Sequence, residues 1–318
     1  MTEEKTEQRV VVGLGELLWD LLPEGARLGG APANFAVMAG RLGDRAVVAS
    51  RVGADAPGTQ ALDALEALPA ESGFLQCDTE YATGTVTVVF RDGEPEYTIH
   101  APAAWDRLTL TPEWRELART ADAVCFGTLA QRAEVSQGTI RAFLDETRRE
   151  CVRVFDVNLR APFWSGEVLR DSLGRATILK LNAGELRHVL MGTGADPYPT
   201  KVQDDDALLS GAQRLLERYP VEMVCITMGA RGSLLVTRKG HDRHHGLAAR
   251  VQDTVGAGDA FTAALTHYYL EGARLAVLNE AGNQWGAWVA SQAGGMPAMK
   301  AETLERVSGE IGARRVRA

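Results

Sequence analysis

The sequence has few cysteines, and they show no regular spacing. Its 318 residues include four cysteines, and none of them belongs to a Cys-x-x-Cys pair. Zinc sites and disulfide-stabilised folds depend on regular cysteine spacings, so we expect neither in this protein. Cys125, Cys151 and Cys225 lie in or beside apolar runs, and we interpret them as buried thiols.

Net positive charge and long apolar runs are also absent. The formal net charge is −8, whereas sequence-independent binding of nucleic acid requires a basic face. No apolar run reaches the roughly 18 residues that a membrane-spanning helix needs. The N-terminal MTEEKTEQR is polar and charged and contains no signal-peptide core. We therefore expect no nucleic-acid partner, no membrane contact and a cytoplasmic location.

Two common nucleotide-binding motifs are missing. No Gly-Lys-Ser/Thr follows a glycine-rich turn, so the chain has no P-loop. The apolar run Val10–Leu14 predicts the first strand of a parallel sheet. Gly13 lies in this run and Gly15 follows it, but Leu18 occupies the position where the dinucleotide motif GxGxxG requires its third glycine. The sequence therefore disfavours a dehydrogenase.

The segment 253–261, DTVGAGDAF, carries the clearest chemical signal. Gly256, Ala257 and Gly258 form a glycine-rich turn, and apolar spacing predicts a helix over 260–270. Such a turn directs backbone N–H groups and the positive end of the helix dipole towards an anion. Asp259 adds a carboxylate that a phosphate-binding site does not need, but that a phosphoryl-transfer site uses to deprotonate a hydroxyl. The alternative is an ordinary turn in which the aspartate caps the helix.

Hydrophobic patterns predict an α/β fold. From Ala121 onward, strand-like runs alternate with helical patterns, as in a doubly wound sheet. Upstream, Thr83–Phe90 and 96–100 alternate apolar and polar residues, and Asp92-Gly93 between them is a strong hairpin signal.

The segment DTVGAGDAF closely resembles the signature of the PfkB/ribokinase family of sugar and nucleoside kinases. A second segment, GGAPANFAVMAGRLG over residues 29–43, resembles the family's N-terminal motif and is most similar to its fructokinase branch. The resemblance implies a single ribokinase-like domain over residues 1–318. This domain would have a doubly wound, mainly parallel sheet flanked by helices, with a small β-sheet lid.

By the same resemblance, segments 17–27 and 83–104 form the lid over the sugar. An exposed alternating hairpin would present an apolar face to water. We therefore expect the lid to be shared between the two subunits of a homodimer, although an ordinary edge hairpin is the alternative.

The resemblance assigns sugar contacts to Asp20, Gly29, Gly30 and Asn34. The residue types agree, because polyols need mixed donors and acceptors and glycine permits close approach of the backbone. Arg160, in a DVNLR segment that resembles the D-x-N-x-R of fructokinase-like kinases, would face the sugar or the transferred phosphoryl group. A turn aspartate at position 20 and a sheet-end salt bridge for the arginine are the alternatives.

The nucleotide contacts also follow from the resemblance. Asn182 and Glu185 match the family's N-x-x-E motif, in which the glutamate holds Mg²⁺ through water; a helix-capping pair is the alternative. Thr227 and Gly229 match the nucleotide loop, together with the glycines of the signature, and Asn283 matches a position near adenine.

A monovalent cation is a further implication. Relatives place K⁺ beside the carbonyl groups of Asp253 and Thr254. Carbonyl ligands leave no side-chain signature, so the sequence leaves open whether this chain uses K⁺.

Taken together, the resemblance implies an ATP- and Mg²⁺-dependent sugar kinase, with fructose as the first candidate substrate. Asp259 would be the base, and the backbone of 256–258 the anion hole. Ribose, a nucleoside or 2-keto-3-deoxygluconate are alternative substrates, and a non-catalytic sugar- or nucleotide-binding regulator is the alternative class. Fructokinase-like relatives often have Ala-Asp after the lid strand, whereas here Trp105 separates Ala104 from Asp106. This departure weakens the assignment of the sugar.

Local sequence context also predicts the charge of Asp259 and the environment of three histidines. Because Asp259 lies at a helix N-terminus, its charged form should be favoured, and it should be ionised at neutral pH. His241, His244 and His245 have no carboxylate or cysteine at metal-ligand spacing, so we interpret them as part of a solvated turn.

Overall fold

The computed structural model describes residues 8–91, 94–195 and 204–316. The β-strands in these ranges are β1 Val10–Leu14, β2 Leu18–Leu22, β3 Gly25–Gly29, β4 Arg45–Gly53, β5 Leu75–Asp78, β6 Gly84–Arg91, β7 Glu94–Ile99, β8 Ala123–Phe126, β9 Val152–Asp156, β10 Ile178–Asn182, β11 Met223–Thr227, β12 Ser233–Thr237 and β13 Gly240–His244. The α-helices are α1 Ala31–Arg41, α2 Ala56–Glu66, α3 Pro112–Thr120, α4 Glu134–Glu146, α5 Gly166–Arg175, α6 Ala183–Thr193, α7 Asp205–Arg218, α8 Ala257–Leu270, α9 Leu275–Ala290 and α10 Ala301–Val316.

The larger sheet is mainly parallel. Its described strands lie in the order β13-β12-β11-β10-β9-β8-β1-β4-β5. The β11–β12 and β12–β13 pairs are antiparallel, and the other pairs are parallel. The carboxyl ends of β1, β8, β9, β10 and β11 therefore lie along one edge, where ligands of open α/β sheets bind.

Helices pack on both faces of this sheet. Successive residues of β1 belong to different apolar clusters. The cluster of Val12 includes residues of α3 to α7, and the cluster of Val11 includes residues of α1, α2, α8, α9 and α10. Strands covered on both faces are continuously apolar, which explains the sequence VVVGL of β1. The predicted doubly wound α/β fold is confirmed.

A second, four-stranded sheet lies apart from the first, in the order β3-β2-β6-β7. Strands β6 and β7 pair antiparallel, which confirms the predicted hairpin; its turn residues Asp92 and Gly93 lie outside the described residues. Strand β3 extends to Gly29, two residues beyond the predicted segment. We call this sheet the lid sheet.

Two sequence expectations concern helices and thiols. Helix α8 begins at Ala257, three residues before the predicted start, so Asp259 belongs to its first turn. Cys125, Cys151 and Cys225 are buried and free, as interpreted from the sequence. None of the helices in the described ranges is long and apolar enough to cross a membrane.

Candidate active site

The glycine turn leads directly into α8. Gly256, the residue before the helix, has a φ of 77°, which favours glycine. A Cβ at this position would also lie 2.4 Å from the Cα of Gly295, so a side chain would collide with backbone. The backbone N–H groups of the first helical turn lack helical acceptors. The turn therefore has the geometry of an anion site at a helix N-terminus.

Asp259 joins the two sequence motifs in space. Its Oδ2 accepts a hydrogen bond of 2.7 Å from Asn34 Nδ2, so the α1 motif and the α8 signature meet across 225 residues of sequence. Asn34 Oδ1 is buried and has no hydrogen-bond partner among the described residues. The amide is thus oriented by the aspartate and retains an acceptor for a further ligand.

Burial sets the proton affinity of this aspartate. It raises the pKa of Asp259 to about 6, and the Asp156 carboxylate adds to the rise. The Lys180 ammonium, the hydrogen bond from Asn34 and the Arg160 guanidinium act in the opposite direction. The sequence expectation that the charged form is favoured is therefore wrong in direction, because desolvation outweighs the helix N-terminus. Since neutral pH lies above this pKa, most of the carboxylate is still ionised, in agreement with the expectation for neutral pH.

A buried ion pair beneath the turn was missed by the sequence analysis. Lys180 Nζ lies 3.0 Å from both carboxylate oxygens of Asp156. Thr262 Oγ1 of α8 donates to Asp156 at 2.9 Å. The signal available in the sequence was the charged Lys180 inside the apolar strand ILKLN, since a lysine is rarely buried without a partner.

Glu16 is a second residue that the sequence analysis missed. It follows β1, is 3% exposed, and its Oε2 has no hydrogen-bond partner among the described residues. Burial raises the pKa of Glu16 to about 7. A Cβ on Gly30 would lie 2.4 Å from the Glu16 carbonyl oxygen, so the predicted glycine packs on this backbone.

The lid sheet, the segment before α8 and the segment after α9 line an open cavity of about 410 Å³. Asp20 and Tyr97 line it from the lid sheet, and Asp253 and Gly295 line it from the other side. Burial raises the pKa of Asp20 to about 6. A Cβ on the predicted Gly29 would lie 2.6 Å from Asp20 Oδ2, so glycine gives this carboxylate its space.

The lid sheet also contacts the signature through charge. Arg27 Nη1 lies 3.3 Å from Asp253 Oδ2. The same carboxylate accepts hydrogen bonds from the backbone N–H groups of Gly294 and Val255, both at 3.0 Å. Its side chain therefore holds the turn in place, and the predicted K⁺ contact through its carbonyl group stays a prediction.

Arg160 is exposed and lies near the buried carboxylates. Its charge opposes the effect of burial, which raises the pKa values of Glu16, Asp20 and Asp259. This electrostatic contact agrees with a position at the site edge, and a direct contact with a substrate stays a prediction.

The Asn182–Glu185 pair forms a capping box at the start of α6. Glu185 Oε2 accepts from the Asn182 backbone N–H at 2.8 Å, and Oε1 accepts from the Leu159 N–H at 2.7 Å. The capping alternative is thus present in the structure. Each Glu185 oxygen keeps a second lone pair, which can accept a hydrogen bond from water. Because both oxygens already accept backbone N–H groups, a contact with Mg²⁺ through a bound water fits better than direct coordination.

The predicted nucleotide residues lie further along the same sheet edge. Thr227 ends β11, and Gly229 follows with a φ of 58°. Asn283 on α9 is 9% exposed and donates to Ser233 Oγ at 2.6 Å and to the Asn279 carbonyl oxygen at 2.8 Å. These bonds place its amide against β12.

The histidine interpretation is wrong for His244. This residue ends β13, is 9% exposed, and its Nε2 lies 3.0 Å from Glu280 Oε2. The partner is 36 residues away in sequence, so local spacing could not reveal it. Among the residues that the structure describes, no group of three or more His, Cys, Asp or Glu side chains is arranged to hold a metal ion.

The chain is similar to known proteins over most of its length. The family described as pfkB family carbohydrate kinase matches residues 25–302. A fructokinase from Salmonella typhimurium is 31% identical over 265 residues, which cover 79% of this chain and 81% of the relative. The crystal structure of an uncharacterised sugar kinase from Pyrococcus horikoshii covers 97% of this chain and 100% of its own, with a TM-score of 0.79 and 25% identity. A Vibrio cholerae fructokinase, solved with fructose, ADP and calcium, covers 94% and 98%, with a TM-score of 0.76 and 24% identity.

Proposed function

Because the chain belongs to the pfkB family of carbohydrate kinases and is an ATP-dependent sugar kinase, we propose that it phosphorylates a neutral sugar, with fructose as the first candidate. The observation that carries this proposal is the 2.7 Å hydrogen bond between Asn34 and Asp259. It brings the proposed sugar-binding amide and the proposed base to one point at the carboxyl edge of the sheet.

In this proposal Asp259 is the base. Its carboxylate takes the proton of the attacking sugar hydroxyl, and Asn34 keeps it oriented. A pKa of about 6 leaves the base mostly ionised at neutral pH while making it a better proton acceptor than an ordinary aspartate.

The backbone N–H groups of 256–258 are proposed to stabilise the negative charge that develops on the γ-phosphoryl group. Mg²⁺ bound with ATP would neutralise charge on the phosphates, and Glu185 is the residue that we propose to orient it through water. Asn182, Thr227, Gly229 and Asn283 are the proposed nucleotide contacts, and K⁺ beside Asp253 is a proposed activator.

The charges around the cavity favour a neutral sugar over an acidic one. Asp20, Glu24 and Asp253 line it, whereas Arg27 is the cation in its lining. That arginine already lies within ion-pair distance of both Asp253 and Glu24. A sugar carboxylate, as in 2-keto-3-deoxygluconate, would therefore face a lining with more carboxylates than cations.

Asp106 supplies no sugar contact in this proposal. Its carboxylate is paired with Arg132, with Nε–Oδ1 and Nη2–Oδ2 distances of 2.8 Å, and both side chains are at most 7% exposed. The departure from the Ala-Asp pattern of fructokinase-like relatives thus leaves Asp20 and Asn34 as the proposed determinants of specificity.

The test is a coupled assay of ADP release with ATP and fructose, ribose, 2-keto-3-deoxygluconate or nucleosides. We expect fructose to give the highest kcat/KM. A higher value for another compound would reassign the substrate, and the absence of turnover with every neutral sugar would contradict the proposal. A homodimer formed through the lid sheet is part of the same proposal.

A further inference from the structure

Lys180 and Asp156 form an ion pair where charges are costly. They face each other across the parallel β9–β10 pair, and they are 8% and 4% exposed. Taking two charges out of water often costs as much as their attraction contributes, so a buried pair is weak evidence for stability. The position of this pair therefore calls for a functional explanation.

The pair lies directly behind the glycine turn. A Cβ on Gly258 would be 3.0 Å from Lys180 Nζ, so the missing side chain lets the ammonium approach α8 closely. Thr262 Oγ1 lies 2.9 Å from Asp156 Oδ2 and 2.9 Å from the Gly258 carbonyl oxygen. The hydroxyl thus connects the ion pair to the first turn of the helix.

We propose that Lys180 and Asp156 are positioning residues for phosphoryl transfer, which hold the first turn of α8 against the sheet and set the electrostatic environment of Asp259. The proposal rests on the proposed role of Asp259 as the base. Lys180 places a full positive charge behind the turn where negative charge develops in the transition state. Asp156 keeps that ammonium in place.

Charged and polar groups reach Asp259 from several elements: Asn34 from α1, Asp156 from β9, Lys180 from β10, Arg160 from the segment after β9 and Glu16 from the segment after β1. Within this set, Lys180 and Asp156 touch each other and act with opposite sign. The ammonium favours the ionised base, and the Asp156 carboxylate disfavours it. Removing one or the other should move the titration of the base in opposite directions.

The experiment measures kcat against pH, with saturating ATP and the best sugar of the substrate panel, for Lys180→Met and Asp156→Asn. In Lys180→Met, the acidic limb should move to higher pH by on the order of one unit, because the ammonium that favours the ionised form of Asp259 is lost while the Asp156 carboxylate stays. Its maximal kcat should fall roughly tenfold or more, while the KM for sugar changes little. In Asp156→Asn, the limb should move to lower pH, because the ammonium then acts on Asp259 alone.

Thr262→Val is the matched control, since it keeps both charges and nearly the same shape. Its limb should stay at the wild-type pH, and any loss of kcat then measures the lost hydroxyl. The double variant Lys180→Met/Asp156→Asn leaves no unpaired charge, so it should fold even where a single variant does not. Its maximal kcat should still fall roughly tenfold or more.

Two results would overturn the proposal: limbs that move in the same direction or not at all in the single variants, or a wild-type kcat in the double variant. If Lys180→Met does not fold, the shift in Asp156→Asn and the double variant decide the question.

Asp259→Asn is measured in the same series. Near-normal activity of Asp259→Asn would reject Asp259 as the base. If Asp259→Asn loses activity but the acidic limbs of the Lys180 and Asp156 variants do not move, only the role of the ion pair is rejected.

Discussion

At the scale of single residues, Asp259 is the most direct test of the chemistry. Asp259→Asn keeps the shape and the contact with Asn34 but removes the proton acceptor. We expect kcat to fall by roughly two to four orders of magnitude, as for other lost general bases, with ATP and sugar binding retained by calorimetry. Asparagine also caps helices well, so a purely structural role predicts near-normal kcat.

The wild-type pH profile tests the same residue. Because the base must be ionised and burial raises the pKa of Asp259 to about 6, kcat should fall as the pH drops through about 6. The pKa of Asp259 is coupled to the titration of neighbouring carboxylates. Because the limb requires an ionisable base at position 259, Asp259→Asn should remove it. A profile that is flat from pH 5 to 8 would contradict this assignment.

Glu16 carries a stability prediction, because its carboxyl is buried and Oε2 lacks a partner among the described residues. Burial raises the pKa of Glu16 from 4.5 to about 7. Because the folded-state pKa is raised, the neutral Glu16 carboxyl is the form that the folded protein favours. Its contribution to the free energy of unfolding is complete below pH 4.5 and is lost as the pH rises through 7. At pH 8, ionised Glu16 should cost on the order of 3 kcal/mol, at about 1.4 kcal/mol per pKa unit.

The test compares wild type with Glu16→Gln by reversible urea unfolding from pH 5 to 8. The free energy of unfolding of the variant should gain on wild type as the pH rises. Glu66→Gln, at an exposed position at the end of α2, is the control and should show no such trend. A constant difference across this range would show that Glu16 does not titrate in it.

At the scale of secondary-structure elements, strand β2 brings Asp20 to the cavity beneath the lid sheet, which we propose to bind the sugar. Asp20→Ala should raise the KM for sugar by roughly tenfold to a hundredfold, since an unpaired sugar hydroxyl in a closed site costs about 1–3 kcal/mol. The KM for ATP should change little. Asp20→Asn keeps one acceptor, so its KM for sugar should lie between those of wild type and Asp20→Ala. Equal effects on both substrates would assign Asp20 a structural role.

Elements that depend on local chemistry were predictable from the sequence. The glycine turn before α8 was identified because its function requires residues that are adjacent in the chain. Strand β1 and the β6–β7 hairpin were identified because alternation and apolar runs are local patterns. The start of α8 was misplaced by three residues, because Ala257 and Gly258 carry no apolar signal although they are helical.

Contacts between distant strands and helices were not predictable in this way. Lys180 meets Asp156 only through the register of β9 and β10, which a single sequence does not encode locally. His244 meets Glu280 for a similar reason, and its burial contradicted a local interpretation. The proton affinity of Asp259 depends on desolvation by the whole site, which outweighed the local effect of the helix N-terminus.

At the scale of the whole molecule, each face of the lid sheet carries an exposed large side chain, Leu21 on one and Tyr97 on the other. Strand alternation and the β2–β6 and β6–β7 registers place Leu21 and Thr98 on one face. Tyr97 lies on the opposite face with Asp20, at the cavity, and is 54% exposed. An exposed aromatic ring beside a polar cavity is suited to being covered by a second subunit.

We therefore expect a dimer of twice 34.3 kDa in sedimentation experiments at micromolar concentration. Tyr97→Asp should give a monomer, because a charge buried without a partner at a subunit interface is costly. Leu21→Asp is the matched control: it introduces the same charge on the opposite face of the lid sheet and should leave the dimer intact. Sedimentation measures mass independently of any effect on sugar binding at the cavity. A monomeric wild type, or a dimer that survives Tyr97→Asp but not Leu21→Asp, would contradict an interface on this face.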